Sequence, residues 1–214
     1  GGEITNNTAA KGGGVYLASG TPGNENKFNM CGGTISGTSG DDANTAKNTG
    51  GVCVGSGTFN MSGGSITNNT ATDGGVFVTE NSKFDMSSGS SITRNTAVSN
   101  GSGVYVRSGT FTVSGTPTVM ENTRENAASN VWLGNSNVTI TIGTGGLTDG
   151  ASIGVTKDSK PGSVIADNVT KDYSDNFSSD NPNYQVAYNA TKKQLVLKEA
   201  EVQPPAGEHK HCLC

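Results

Sequence analysis

The chain has 214 residues, of which 31% are hydrophobic and 15% charged, and its formal net charge at pH 7 is −4. Glycine contributes 32 residues, which argues against a thick globular core and favours a narrow, turn-rich structure, because glycine adopts the backbone angles that tight turns need. The negative charge and the lack of a dense basic patch argue against nucleic acid as a partner. No stretch approaches the roughly 20 apolar residues of a membrane span, so we predict no membrane insertion.

Three short motifs recur in fixed order along the first 133 residues. They are a glycine-flanked Val-x-Val, a Phe-x-Met, and an isoleucine before an Asn-rich turn. Each alternates apolar and polar residues over three to five positions, which is typical of a strand and too short for a helix. The motifs are marked by Val15, Val52, Val76, Val104 and Val131, by Phe28, Phe59, Phe84 and Phe111, and by Ile4, Ile35, Ile66, Ile92 and finally Val119. Self-similarity of this kind indicates a solenoid.

The motifs predict an all-β chain, folded as a right-handed parallel β-helix of about five regular coils over residues 1–133. Stacked coils lie about 4.8 Å apart, so equivalent residues form internal columns of Val, Phe, Met and Ile. The repeated "NNTA" and "RNTA" turns place an asparagine where its amide bonds to the coils above and below. "Asn-x-Thr" also matches a glycosylation acceptor, but a role in the turn explains its repetition better.

The motifs fade after residue 133. "NVTITIG", "ASIGVT" and "SVIA" read as three more strands, and "YQVAYNATKKQLVLK" reads as a hairpin. We therefore predict that residues 134–198 form irregular coils and a capping hairpin, which solenoids need because an open end exposes apolar columns. Residues 199–214 are predicted to be a linker and a His/Cys-rich tail.

The pattern "FxMxGGxIxxNxA…GGGVYV" resembles the right-handed β-helix repeats of the pectate-lyase-like superfamily. It is more closely similar to repeats of large, adhesin-like surface proteins of anaerobic, gut-type Gram-positive bacteria, and distantly to polymorphic outer-membrane-protein repeats. The resemblance covers residues 1–133. It implies an extracellular protein, secreted or on a bacterial surface, with adhesion or host contact as its usual role, although fold alone does not establish function.

The sequence starts within a repeat, because "GGEITNNTA" matches "GGSITNNTA" from its first glycine. It ends directly after "HKHCLC". We therefore expect it to be part of a longer protein, so that a missing signal or anchor says nothing about location.

The middle residues of the Val-x-Val motifs are the first candidate site. If the flanking residues point inward, the middle ones point outward, and four of these five are aromatic. They would form a stripe roughly 19 Å long that suits sugar rings or a protein partner. The alternative is that they only shield a sheet face or are covered by the C-terminal region. The candidates are Tyr16, Phe77, Tyr105 and Trp132, with Cys53 completing the column.

Two further candidates are metal sites. The first coil has two extra loops, and the longer one carries Asp41 and Asp42, which suggests weak calcium binding, although such sites want several converging oxygens. The terminal "HKHCLC" offers four soft-metal ligands, spaced more closely than zinc pairs usually are. These are His209, His211, Cys212 and Cys214. A disordered tail is the alternative. Cys31 and Cys53 lie on different strands, which favours free thiols over a disulfide.

The catalytic equipment of a polysaccharide lyase or hydrolase is missing from the predicted sheet faces. Glycosidases need paired carboxylates, and the outward residues of the Phe-x-Met strands supply only Asp85. We therefore predict a non-enzymatic module without a cofactor, adhesin-like, that binds a host glycan or a host protein. Two alternatives stay open: a passive stalk that projects another domain, and a carbohydrate-active domain.

Overall fold

The chain winds into a parallel β-helix of about six turns, which confirms the predicted fold class. The computed structural model describes residues 1–18, 20, 25–36, 43–157 and 160–201. In these residues the strands are β1 (Glu3–Ile4), β2 (Thr8–Ala9), β3 (Val15–Leu17), β4 (Lys27–Ile35), β5 (Thr45–Thr49), β6 (Val52–Val54), β7 (Gly57–Thr67), β8 (Thr70–Asp73), β9 (Val76–Val78), β10 (Ser82–Met86), β11 (Ser90–Thr93), β12 (Thr96–Asn100), β13 (Val104–Val106), β14 (Thr110–Gly115), β15 (Thr118–Met120), β16 (Thr123–Arg124), β17 (Ala127–Ala128), β18 (Val131–Leu133), β19 (Ile140–Leu147), β20 (Ser152–Thr156), β21 (Val164–Ala166), β22 (Phe177–Ser179), β23 (Tyr184–Asn189) and β24 (Gln194–Glu199).

Like strands of successive coils pair in parallel and build four columns. The Val strands are β3, β6, β9, β13 and β18. The Phe strands are the first halves of β4 and β7, followed by β10, β14 and β19. The Ile strands are β1, the second halves of β4 and β7, β11 and β15. The Thr-Ala strands are β2, β5, β8, β12 and β16.

The Thr-Ala column is a departure from the sequence prediction, which gave three strands to each coil. The Thr-Ala dipeptide after the Asn turn forms a fourth short strand. Its alanine points inward, and Ala46, Ala71 and Ala97 are all buried. A column with one small apolar residue per coil closes the helix without a bulky motif, so it leaves little periodic signal in the sequence.

The core is a set of in-register columns, as predicted. Four phenylalanines stack in one of them, with ring centroids 5.1, 4.8 and 5.0 Å apart in the order Phe28, Phe59, Phe84 and Phe111. The last three have no exposed surface, whereas Phe28 at the end of the column is half-buried. Flanking columns of Val, Met and Ile complete a thin continuous core. The predicted phenylalanine column is therefore confirmed.

The Asn turns form a continuous asparagine ladder along the helix. Each side-chain Nδ2 donates to the Oδ1 of the next member of the ladder: Asn7 to Asn44 (2.9 Å), Asn44 to Asn69 (3.1 Å), Asn69 to Asn95 (2.9 Å), Asn95 to Asn122 (3.0 Å), Asn122 to Asn130 eight residues later (3.1 Å) and Asn130 to Asp180 (2.6 Å). The amides also reach backward, since Asn95 Nδ2 donates to the Ile66 carbonyl at 3.0 Å. The ladder satisfies polar groups that a buried corner would otherwise leave unpaired, which confirms the predicted role of the turn.

Glycine is required for different reasons at two corners of the coil, a positive φ at one and a lack of space for a side chain at the other. Between the Phe and Ile strands, Gly64 adopts a φ of 89°, as the sequence predicts. Before the Val strands, however, the requirement is space: a Cβ on Gly75 would lie 2.8 Å from Cγ of Asn95. At the Asn turn the left-handed residue is not glycine, and Asn68 and Arg94 take φ values of 56° and 57°.

Parallel pairing continues beyond residue 133. β20 pairs with β15 through Ser152 and Ile153 and with β18 through Val155 and Thr156, and then with β22. The predicted hairpin is present as the antiparallel pair β23 and β24, and β24 also pairs antiparallel with β21. Among the described residues, no helix has the length and apolar character needed to cross a membrane.

A single carboxylate terminates the asparagine ladder. Asp180 accepts hydrogen bonds from the backbone N–H of Asn130 (2.8 Å), from its Nδ2 (2.6 Å) and from Oγ1 of Thr156 (2.7 Å). Burial raises the pKa of the Asp180 carboxyl above its ordinary 3.8, although these hydrogen bonds oppose the shift. Because a carboxylate only accepts, it ends a chain of amides that all donate toward it.

The raised pKa of Asp180 predicts a defined pH dependence of stability. The pKa of Asp180 is higher in the folded state than in the unfolded state. Its contribution to the free energy of unfolding is therefore fully present below pH 3.8 and is lost as the pH rises through the folded pKa. We expect the unfolding free energy of the wild type, relative to Asp180→Asn, to fall as pH increases across that window. Urea denaturation of both proteins over a pH series measures this difference. A difference that stays constant or grows with pH would contradict the assignment.

Candidate functional site

The Val strands display a column of outward side chains. In β6, β9, β13 and β18 the flanking residues are buried, with no exposed surface at Val76, Val78, Val104 and Val106, whereas in β3 Leu17 is buried and Val15 is partly buried. Alternation along a strand turns the middle residue to the opposite face. The middle residues are in register from coil to coil, in the order Tyr16, Cys53, Phe77, Tyr105 and Trp132. We call Tyr16, Phe77, Tyr105 and Trp132 the aromatic strip.

The aromatic strip is open to solvent along the described part of the chain. Tyr16 is 44% exposed, and Phe77, Tyr105 and Trp132 are half-buried. The rings of Phe77 and Tyr105 stack with centroids 5.1 Å apart, at an interplanar angle of 25°. Cys53 is only 4% exposed, in register between Tyr16 and Phe77.

Glycines after two Val strands make room for the rings. A Cβ on Gly55 would lie 3.0 Å from Cε2 of Tyr16, and one on Gly134 would lie 3.1 Å from Cε2 of Tyr105. Both rings therefore lean over the backbone of the following coil.

Three of the four rings of the strip have a cation beside them. Lys11 Nζ lies 5.7 Å from the Tyr16 ring centroid, Arg107 Cζ lies 5.5 Å from that of Phe77, and Arg124 Cζ lies 5.0 Å from that of Trp132. Arg124 is held in place, since its Nη1 donates to the Ser99 carbonyl at 2.9 Å. These distances lie within the range of cation–π contacts.

Sequence reasoning missed these cations, although one left a signal. Arg124 pairs with Ala97 in the Thr-Ala column. There it stands where earlier coils have a buried alanine, so that the recurring "NTA" becomes "NTR". A break in a repeat of this kind marks a position that has changed its role. Lys11 and Arg107 are not marked by such a break in the repeat, although Arg107 follows Tyr105 of the strip by two residues.

Burial raises the pKa of three groups at or beside the aromatic strip: Asp73, Tyr105 and Cys53. Burial raises the pKa of Asp73, whose Oδ1 accepts from Asn100 Nδ2 at 3.5 Å. Burial also raises the pKa of the Tyr105 phenol, and the Asp73 carboxylate adds to this while Arg107 opposes it. Burial likewise raises the pKa of the Cys53 thiol, which keeps it protonated and poorly nucleophilic at neutral pH. The column therefore suits noncovalent contact.

The Phe strands line a second groove, in which Met61 and Met86 lie beside polar side chains. It encloses about 340 Å³ and includes Asn60, Asp85 and Thr112 in its lining. Asn60 Nδ2 donates to Oδ1 of Asn29 at 2.7 Å, so amides occupy much of this column. The outward column of the Phe strands, formed by Asn29, Asn60, Asp85 and Thr112, contains one carboxylate, as the sequence indicates. That the protein is not an enzyme stays a prediction.

The described residues include none of the candidate metal ligands. Asp41 and Asp42 lie outside the described residues, as do the tail residues His209, His211, Cys212 and Cys214. Within the described ranges, no three His, Cys, Asp or Glu side chains are grouped so as to hold a metal ion. Cys31 and Cys53 are free thiols, the first exposed and the second buried.

Comparison with known proteins found no match to this chain. No protein-family model, curated protein or solved structure matches the chain. The assignment of the parallel β-helix therefore stands on the repeats and the strand pairing, and the function must be argued from the aromatic strip itself.

Proposed function

We propose that this protein is a non-enzymatic binding module that holds an extended glycan along the aromatic strip. The observation that carries the proposal is the column of four outward aromatic side chains with cations beside three of them. Aromatic faces stack on the apolar faces of sugar rings, and a regular column favours a ligand with a regular repeat. The strands already fix these side chains, so binding costs little conformational entropy.

The three cations indicate that the proposed ligand is negatively charged. Lys11 and Arg107 are exposed and Arg124 is half-exposed, so all three can meet a ligand lying on the rings. Guanidinium and ammonium groups make charge-assisted hydrogen bonds with carboxylate and sulfate groups. We therefore propose an anionic glycan over a neutral one, with the cations contributing most to association rate and specificity.

The biological setting of the proposal comes from the resemblance of the repeats to bacterial surface proteins. On that basis we place the module outside the cell, on a bacterial surface or secreted, in an adhesin-like role toward a host glycan. A host protein that docks on the same rings is the alternative partner, because aromatic anchors also serve protein interfaces.

A passive stalk is the second candidate function, and the asparagine ladder favours it. The ladder runs without a break from Asn7 to Asp180 through coil after coil. A uniformly hydrogen-bonded solenoid makes a stiff spacer whether or not its surface binds anything. The two candidates differ in one respect, since a spacer has no use for the aromatic strip.

A glycan array with neutral, uronic-acid, sialic-acid and sulfated oligosaccharides tests the proposal. We expect the wild type to bind anionic glycans and Tyr105→Ala/Trp132→Ala to bind them at least about 30-fold more weakly, equal to about 2 kcal/mol, because two anchors are lost. Arg107→Gln/Arg124→Gln should weaken binding most at low salt. Val98→Ala is the matched control, since Val98 is 67% exposed on the Thr-Ala column.

The outcomes separate the candidate functions. Binding that the strip variants abolish and Val98→Ala preserves supports a glycan-binding module. Binding to none of the glycans, with the wild type fully folded, would favour the stalk or a protein partner. Release of reducing sugar from a polysaccharide would contradict the non-enzymatic assignment.

A further inference from the structure

We propose that the N-terminal face of the β-helix is a docking surface for one further β-coil of the same repeat, running in the same direction. This face is defined by Ile4, Asn7, Val15 and Phe28. Three independent features of it point to the same partner: exposed apolar columns, unpaired strand edges and the direction of the asparagine ladder.

The apolar columns are uncovered at this face. Ile4, Val15 and Phe28 are each only partly buried, whereas the residues that follow them in their columns are almost fully buried. These following residues are Ile35 (1% exposed), Val52 (0%) and Phe59 (0%). A recess of about 240 Å³ lies beside Phe28, Met30 and Ile4. It opens where a further Phe-x-Met strand would continue its column.

The strand edges at this face are also unpaired within the described part of the chain. β1 pairs with β4, β2 with β5 and β3 with β6, each on one side only. The segment of β4 from Lys27 to Met30 pairs with β7 alone. Every interior strand of these columns has a parallel neighbour on both sides, so the face continues an interface that the chain already makes repeatedly.

The direction of the ladder selects the orientation of the partner. In each interior coil, Oδ1 of the ladder asparagine accepts from the coil on its N-terminal side. Asn7 donates its Nδ2 to Asn44 and to the Thr5 carbonyl, and its side chain is exposed. The face thus offers an amide acceptor, and a partner must supply an amide donor at this position.

This polarity excludes the protein's own two ends as partners. A second copy docked face to face would place Oδ1 of Asn7 against its own equivalent, acceptor against acceptor. A second copy docked head to tail would meet the end covered by the antiparallel hairpin of β23 and β24, where the ladder already ends at Asp180, an acceptor of the Asn130 amide. A parallel coil with its own ladder asparagine has the required donor, together with Phe and Met side chains for the recess.

The test joins a copy of residues 63–88 to the amino end of the chain. This segment is one complete coil, because Ser65 pairs with Ser91 in the next coil. Its copied Asn69 would then face Asn7, and its copied Phe84 would lie over Phe28. We expect a higher melting temperature and at least about tenfold slower amide hydrogen exchange in β4. Light scattering of the original protein should show a monomer.

The control carries Asn69→Asp in the added copy alone, which keeps the shape but removes the donor. We expect it to lose much of the added protection in β4 at neutral pH, while emission from Trp132 confirms that the rest of the helix is folded. An added coil that leaves exchange in β4 unchanged would overturn the proposal. Equal protection from the Asp version would overturn the role of the ladder, and a dimer of the original protein through this face would identify a second copy as the partner instead.

Discussion

Replacing Phe84 with alanine should destabilise the protein by roughly 3 to 5 kcal/mol. The side chain has no exposed surface and lies between two parallel rings, with centroids 4.8 Å from Phe59 and 5.0 Å from Phe111. A coil held on both sides has little freedom to collapse into the space left behind. The free-energy cost of the lost burial and that of the remaining cavity therefore add. Equilibrium urea denaturation of the two proteins measures the difference in unfolding free energy.

Phe28→Ala is the matched control for this result. Phe28 belongs to the same column and stacks on Phe59 at 5.1 Å, but it is only partly buried. Its loss should therefore cost about 1 to 2 kcal/mol. Equal destabilisation by the two substitutions would mean that the phenylalanine column is not the continuous core that holds neighbouring coils together.

Asn69→Asp should cost about 4 kcal/mol at neutral pH. Nδ2 of Asn69 donates to the carbonyls of Ile35 (3.1 Å) and Thr67 (3.3 Å) and to Oδ1 of Asn95 (2.9 Å). A carboxylate makes none of these bonds and faces three oxygen atoms at a position that is 1% exposed. Full burial shifts a carboxyl pKa upward by about 3 units or more, and each unit corresponds to about 1.4 kcal/mol.

The cost of Asn69→Asp should depend on pH in a known direction. The folded pKa of the new carboxyl lies above its unfolded value of about 3.9. Protonation therefore favours the folded state, so the destabilisation is largest above the raised pKa and shrinks as the pH falls through it. Asn69→Ala, which adds no charge, should cost about 1 to 2 kcal/mol at every pH. An Asn69→Asp protein as stable as Asn69→Ala at neutral pH would contradict the ladder as an obligatory donor chain.

The columns of the core were predictable because repetition supplies the register. Once "FxM" and "VxV" recur in a fixed order, stacking like on like follows from strand geometry alone, and Phe59 falls next to Phe84. The outward column, with Tyr105 between Phe77 and Trp132, follows from the same register and from alternation along each strand. The asparagine ladder could be predicted for the same reason.

Features that depend on contacts between different columns were not predictable. Arg107 directly follows β13 and Arg124 lies in β16, and their approach to the rings of Phe77 and Trp132 depends on contacts between neighbouring coils and columns. Asp180 lies 50 residues beyond the Asn130 that it caps, in a region where the repeat has faded. The Thr-Ala strand was missed because each coil buries only one small apolar residue there, Ala46, Ala71 or Ala97, which is too little to display a strand period.

Quenching of the single tryptophan by iodide tests the proposed role of the strip most directly. Trp132 is half-buried, with the Arg124 guanidinium 5.0 Å from its ring, so iodide should quench the free protein efficiently and the cation caesium much less. A glycan selected from the array should shield Trp132 from iodide in proportion to the fraction bound. If the protein is saturated with that glycan and iodide still quenches Trp132 as it does in the free protein, the ligand binds elsewhere. The aromatic strip is then not the binding site.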